Sequence, residues 1–250
     1  MARNNNSWFE FAGINSHDMG VQLKDSHVDV LGKWRGEITE VCGRSGYIWQ
    51  GENAREYIEV KRLCRVRESK KRAVKAWLTG HGLLRFSHEP DAQYVAQVIQ
   101  RIDFKMVCPG ADPIYEFSVV FTCQPDPYIY PPADDFTATA TGAQIPIPEY
   151  AYSLPRITIY GSGDFAVTIG MQTVFFKDVT GGGIIVDSEL GDALTLDGTL
   201  LANDQMEGDL FEIQPGYNVV SWLTGGEDDE GNVTDGVVTA VIITPRWRYF

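Results

Sequence analysis

Three stretches of this chain alternate apolar and polar residues with a period of two, and that rhythm limits what it can fold into. Ile58, Val60, Cys64 and Val66 fall on one face of a run in which Arg62 is the exception. Tyr94, Ala96, Val98, Ile102, Phe104 and Met106 repeat the pattern over a longer run, and Tyr115, Phe117, Val119, Phe121 and Cys123 repeat it again. Successive side chains of a strand point to opposite faces, so this period predicts antiparallel sheets with one face buried and one wet. One segment departs from it. After Ser69, the apolar residues Ala73, Val74, Trp77 and Leu78 recur at helical spacing and are followed by Gly80. A short helix with a Ser69 N-cap and a glycine stop is expected there.

The second half predicts strands and turns only. Candidate strands are 156–160, 165–169, 173–176, 184–187, 218–223 and 237–243, with Gly161-Ser162-Gly163-Asp164 read as a tight turn between the first two. Earlier, 38–41 and 47–49 flank Gly43-Arg44-Ser45-Gly46, the pattern of a hairpin. Between the halves, four prolines lie within eight residues, Pro125, Pro127, Pro131 and Pro132. Such a run makes a stiff connector. Charge changes at the same place. Residues 1–130 carry 17 Lys and Arg against 16 Asp and Glu, and residues 131–250 carry 4 against 18. The two halves are therefore expected to be separate domains, 1–130 and 131–250, and the acidic one repels nucleic acid and anionic membrane.

Few motifs suggest chemistry. The chain has no GxSxG, HExxH or GxxxxGK[ST] pattern. No apolar run reaches the roughly 20 residues of a membrane helix, and residues 1–6 do not read as a secretory signal. Cys42, Cys64, Cys108 and Cys123 are too scattered for a zinc ribbon and read as buried free thiols. The acidic run 227–232 lacks calcium-loop spacing and reads as a solvated hairpin loop. No cofactor, metal or catalytic residue is expected. Between Lys61 and Lys75 there are eight basic residues and one acid, Glu68. Lys70, Lys71 and Arg72 would fall in the first helical turn, against the helix dipole, which suggests a contact with a partner. Trp222 and Trp247 read as core or edge residues, and Tyr150 and Tyr152 as available for stacking on a sugar.

Several motifs, taken in order, resemble the distal tail proteins of siphophages. Phe9-Glu10-Phe11-Ala12-Gly13-Ile14-Asn15-Ser16 is similar to the family's first strand and turn, and Gly43-Arg44-Ser45-Gly46 to its Gly-Arg-x-Gly turn. Trp77-Leu78, Gly82-Leu83-Leu84-Arg85-Phe86-Ser87 and Pro90-Asp91-Ala92-Gln93-Tyr94 follow in the family's order. The stretch from Pro155 to Asp164, then Pro215-Gly216-Tyr217-Asn218 and Pro245-Arg246-Trp247-Arg248, extend the likeness to the second half. The resemblance implies a mainly β chain. Its N-terminal domain would be a tail-tube-like, ring-forming β-sandwich or barrel-like unit with one flanking helix, and its C-terminal domain a galectin-like β-sandwich. It further implies a structural protein of the virion, assembled in host cytoplasm. That protein would form a hexameric ring at the tail tip or baseplate, touching the tail tube, tape measure and tail hub proteins. DNA would pass through the ring without being read. Arg44, Lys70, Lys71 and Arg72 are the candidate ring or partner contacts. The alternative is a carbohydrate-binding module for a host surface, using Tyr150 and Tyr152.

Overall fold

The computed structural model describes residues 7–25, 31–40, 42–43, 45–216, 218–224, 226–227 and 233–249. The chain is mainly β and forms two compact units, Met1–Pro127 and Tyr128–Phe250.

In the first unit the strands are β1 (Phe9–Phe11), β2 (Ile14–Asn15), β3 (Gln22–Leu23), β4 (Trp34–Glu40), β5 (Tyr47–Arg55) and β6 (Ile58–Arg67). The helix α1 (Glu68–Trp77) follows, then β7 (Gly80–Phe86), β8 (Glu89–Val98), β9 (Lys105–Cys108) and β10 (Ile114–Cys123). All ladders are antiparallel, in the order β2-β1-β7-β8-β10-β6-β3, with β9 beside the start of β10. The sheet curls on itself. Although β7 and β8 separate β1 from β10, Phe9 and Phe121 meet edge-on with ring centroids 5.2 Å apart. The predicted alternation of β6 and β10 holds, and Phe117, Val119, Phe121 and Cys64 are buried in register. Arg62 stands on the same inward face, its guanidinium 4.7 Å from the Phe86 ring.

Three expectations need correction here. The long run from Tyr94 to Met106 is two strands, because the ladder ends at Val98 and resumes at Lys105. Ile102 and Phe104 still pack on the core, Phe104 stacking on Phe117 at 4.7 Å, so the parity survives across the gap but fails at Met106, which is exposed. The helix begins at Glu68, and Ser69 is not its cap. Instead the Asp112 carboxylate accepts from both the Ser69 N–H and its hydroxyl, each at 3.1 Å, which satisfies the helix start from a distant loop. Only Cys64 and Cys123 are buried; Cys42 and Cys108 are exposed.

The second unit contains β11 (Tyr128–Ile129), β12 (Phe136–Ala138), β13 (Ala143–Gln144), β14 (Ala151–Ser153), β15 (Arg156–Ile169) and β16 (Gln172–Val179). It continues with β17 (Gly183–Asp187), β18 (Asp192–Thr195), β19 (Met206–Glu207), β20 (Val219–Leu223), β21 (Gly226–Glu227), β22 (Val233–Thr234), β23 (Val237–Thr244) and β24 (Trp247–Tyr249). Strand β15 belongs to two sheets. Its first half pairs with β17 and β23, and its second half with β16 and β20. The predicted turn at Gly161-Ser162-Gly163-Asp164 is therefore a corner inside one long strand. Gly163 takes φ +78°, and a Cβ on it would lie 2.9 Å from Gly236 Cα. A glycine that permits a reversal also permits a bulged bend, and packing selects the bend. Between the sheets lies one core, with Phe165, Phe176, Phe211, Ile157 and Ile159 fully buried. Trp247 is part of it, and Trp222 packs partly buried against it.

Candidate functional site

Strands β4 and β5 pair with each other and, among the described residues, with no other strand. Their register sets Ile38 opposite Trp49 and Thr39 opposite Ile48. Apolar side chains thus stand on both faces of the ribbon, and among the described residues no other strand pairs over either face. Ile38 is 61% exposed and Tyr47 66%, with Trp34, Ile48 and Trp49 also in the open. A lone two-stranded ribbon is marginal in water. This one is braced from within and at its root. Gly36 faces Gly51 across the ladder, and a Cβ on either would approach the Trp49 ring to 2.6 Å, so the indole lies over the glycine pair. At the root, Arg55 sits 4.9 Å over the Trp34 ring and donates to Asp126 at 3.3 Å. Arg44, at the turn, lies outside the described residues, as do residues 228–232 of the acidic run.

The basic run disperses once folded. Lys71 pairs with Glu68 at 2.5 Å and lies 3.7 Å over the Tyr115 ring. The hydrogen bond from Lys71 holds the Glu68 carboxyl below the usual carboxylate range. Glu116 joins Lys24 at 2.5 Å to Arg65 at 3.1 Å, Arg67 approaches Asp112 at 3.8 Å, and Lys75 covers the Phe104 ring. Among the described residues, Lys61, Lys70 and Arg72 alone of the eight make no ion pair or ring contact. The helix start carries Glu68 and the Asp112 cap, so the expected conflict with the helix dipole is largely compensated. The i, i+3 spacing of Glu68 and Lys71 was the sequence signal for this.

In the second unit, Tyr150 is 78% exposed and holds φ +57°, a conformation uncommon for an aromatic residue. Tyr152 is half-buried in β14, opposite Arg248. Sequence reasoning missed the most concentrated polar group of this unit. Arg246 grips Asp187 with both terminal nitrogens, at 2.6 and 2.8 Å, and reaches Glu189 at 3.0 Å. Glu189 also bonds Tyr128 and Arg248, and Arg248 donates to the Tyr128 hydroxyl at 2.7 Å. These residues are far apart in sequence and share no motif. No group of His, Cys, Asp and Glu among the described residues is arranged to hold a metal, and no described helix is long and apolar enough to cross a membrane.

Two mainly β units, the first a curled sheet with one flanking helix and the second built around a strand shared between two sheets, define the class of fold. No family model and no curated protein matches the chain. Among solved structures it is similar to that of SPP1 Dit (gp 19.1), described as a paradigm of the hub adsorption apparatus in phages that infect Gram-positive bacteria. The identity is 14% and the TM-score 0.65, over 97% of this chain and 98% of that one. At this identity the likeness is one of fold.

Proposed function

We propose that this chain is a structural hub component of a phage tail tip, a distal tail protein, and not an enzyme. The observation that carries the reading is the β4–β5 ribbon, which leaves Ile38, Tyr47 and Trp49 exposed among the described residues. Apolar surface displayed on a braced ribbon is what a permanent partner covers. A second copy of the chain is that partner, and repetition of the same contact around an axis closes a ring, six-fold in this reading. The fold likeness over nearly the whole chain supports the assignment. The ring sits in the virion tail, between the tail tube and the tip, against the tube, tape measure and hub proteins, and is assembled in the host cytoplasm. It recognises no nucleic acid sequence and no membrane. The second unit is a galectin-like sandwich carried on the ring.

The test is sedimentation velocity and negative-stain imaging of the full chain, alone and mixed with tube or hub protein. Rings are expected, and Ile38→Asp with Trp49→Asp should abolish them. A chain that stays monomeric in every mixture ends the proposal. Tyr150 favours a second reading, a sugar-binding module, because its ring is held out in a strained conformation. That reading requires glycan binding that Tyr150→Ala removes.

A further inference from the structure

A cleft of about 290 Å³ lies in the first unit, between the root of the β4–β5 ribbon and strands β7, β8 and β10. The ribbon supplies Arg35 and Arg55, and Tyr57 follows them. The sheet supplies His81 and Gln97, which face each other across the β7–β8 ladder, and Gln124 stands just past the end of β10. Among the described residues, no Asp or Glu lines the cleft. In a chain with 34 acidic residues against 21 basic ones, a wall with two arginines, a histidine and no carboxylate runs against the overall balance.

The arginines stand on a fixed support. Gly32, just before β4, is so close to its neighbours that a Cβ on it would come within 2.8 Å of both the Glu56 carbonyl and the Pro125 side chain. The Glu56 N–H donates to the Lys33 carbonyl at 2.7 Å. Both arginines also keep donors to spare. The Arg55 side chain is only 13% exposed, yet its one hydrogen bond among the described residues is to Asp126, at 3.3 Å. The Trp34 ring covers its flat face and leaves the edge, where a guanidinium carries its N–H groups, for other acceptors. Arg35 approaches Glu52 only at 3.9 Å, with both side chains largely in solvent, a pairing that holds it weakly.

We infer that this cleft is a binding site for a compact oxyanion, a carboxylate or phosphate group carried by a small polar ligand. Guanidinium groups suit either group, because their N–H fork meets two oxygens at once. Arg55 would hold the oxyanion from the buried side and Arg35 from the open side. His81, Gln97 and Gln124 offer hydrogen bonds to the rest of the ligand, and Tyr57, 63% exposed, offers an aromatic face. The volume lies at the small end for ligand sites and suits one ring-sized molecule. The net charge of −13 acts against any anion at long range, so short-range donors must do the holding, and salt screens the repulsion. Ring formation has no part in this inference.

The test is isothermal titration of the full chain with glucose 6-phosphate, glucuronate and inorganic phosphate, and with glucose as the uncharged control. At least one charged probe should bind with a Kd of about 1 mM or tighter, and glucose should bind about tenfold more weakly or not at all. Tighter binding of the phosphate ester assigns the site to phosphate, and tighter binding of glucuronate assigns it to carboxylate; either supports the inference. Arg35→Gln should weaken binding about tenfold with an unchanged melting temperature. Arg35→Lys, which keeps the charge but not the fork, should lose less. Arg55 is left in place, since changing it would also disturb Trp34 and Asp126. Sedimentation of each variant, run alongside, separates loss of assembly from loss of binding. No binding of any charged probe, equal binding of glucose, or parent-like binding by Arg35→Gln overturns the inference. So does binding of an oligoglutamate peptide alone, lost in Arg35→Gln, which would give the cleft to an acidic protein partner.

Discussion

Replacing Arg246 by alanine removes the cation and both guanidinium hydrogen bonds from a carboxylate whose side chain is 4% exposed. In the native chain, burial by itself would push the pKa of Asp187 up. The Arg246 hydrogen bonds, helped by the Leu190 amide, outweigh this and hold its carboxyl below the usual carboxylate range. A depressed folded value means that the pair's contribution is present above the unfolded value of about 3.9 and lost as pH falls through the lower folded one. Between pH 5 and 7 the native term is therefore flat. In Arg246→Ala the buried charge is unpaired, a change that costs about 3–5 kcal/mol when no escape exists. Protonation is the escape. It costs about 1.4 kcal/mol per pH unit above about 3.9, hence about 4 kcal/mol at pH 7 and about 1.5 kcal/mol at pH 5. The variant should lose about 3–4 kcal/mol at pH 7, and the gap should narrow by about 2 kcal/mol at pH 5. Urea unfolding of parent and variant at both pH values, followed by circular dichroism, measures it. The double change Arg246→Met with Asp187→Asn, which leaves no unpaired charge, should recover most of the loss. A loss equal at both pH values, or one that the double variant keeps in full, would show that Arg246 acts by packing and that this reasoning is wrong.

Three further outcomes are expected. Trp77→Phe keeps the stack on Phe9 but leaves the Phe11 carbonyl without its donor, and should cost about 1–2 kcal/mol in thermal or urea unfolding. Gly51→Ala pushes a methyl into the Trp49 indole, so it should impair the proposed ring formation while the melting temperature of the core stays within about 2 °C, as scored by negative stain and calorimetry. Glu116 is held below the usual carboxylate range by the Lys24 hydrogen bond first, so Lys24→Ala should shift its titration upward when followed by carboxyl NMR.

Period-two patterns exposed β6 and β10 directly, because each strand has one face on the core and one in water. The helix was legible from Val74 and Trp77, but its cap was not, since Asp112 arrives from 43 residues away. Residues 161–164 misled for a physical reason: the same glycines suit a reversal or a bend, and only the strands on either side of β15 decide between them. Lys71 looked like an unsatisfied cation until its turn of helix brought Glu68 beneath it. The Asp187–Arg246 pair was invisible, as Asp187 merely ended an apolar run and Arg246 followed a proline. The pairing of the two hairpin strands was legible in the sequence, yet the exposure of Ile38, Tyr47 and Trp49 on them was not.

Where the backbone enters and leaves the second unit has a mechanical consequence. Tyr128 of β11 is directly opposite Arg248 of β24, and Glu189 ties both together. Tension that enters at Tyr128 loads this seam directly, because the entry strand is held to β24 both by backbone pairing and by Glu189.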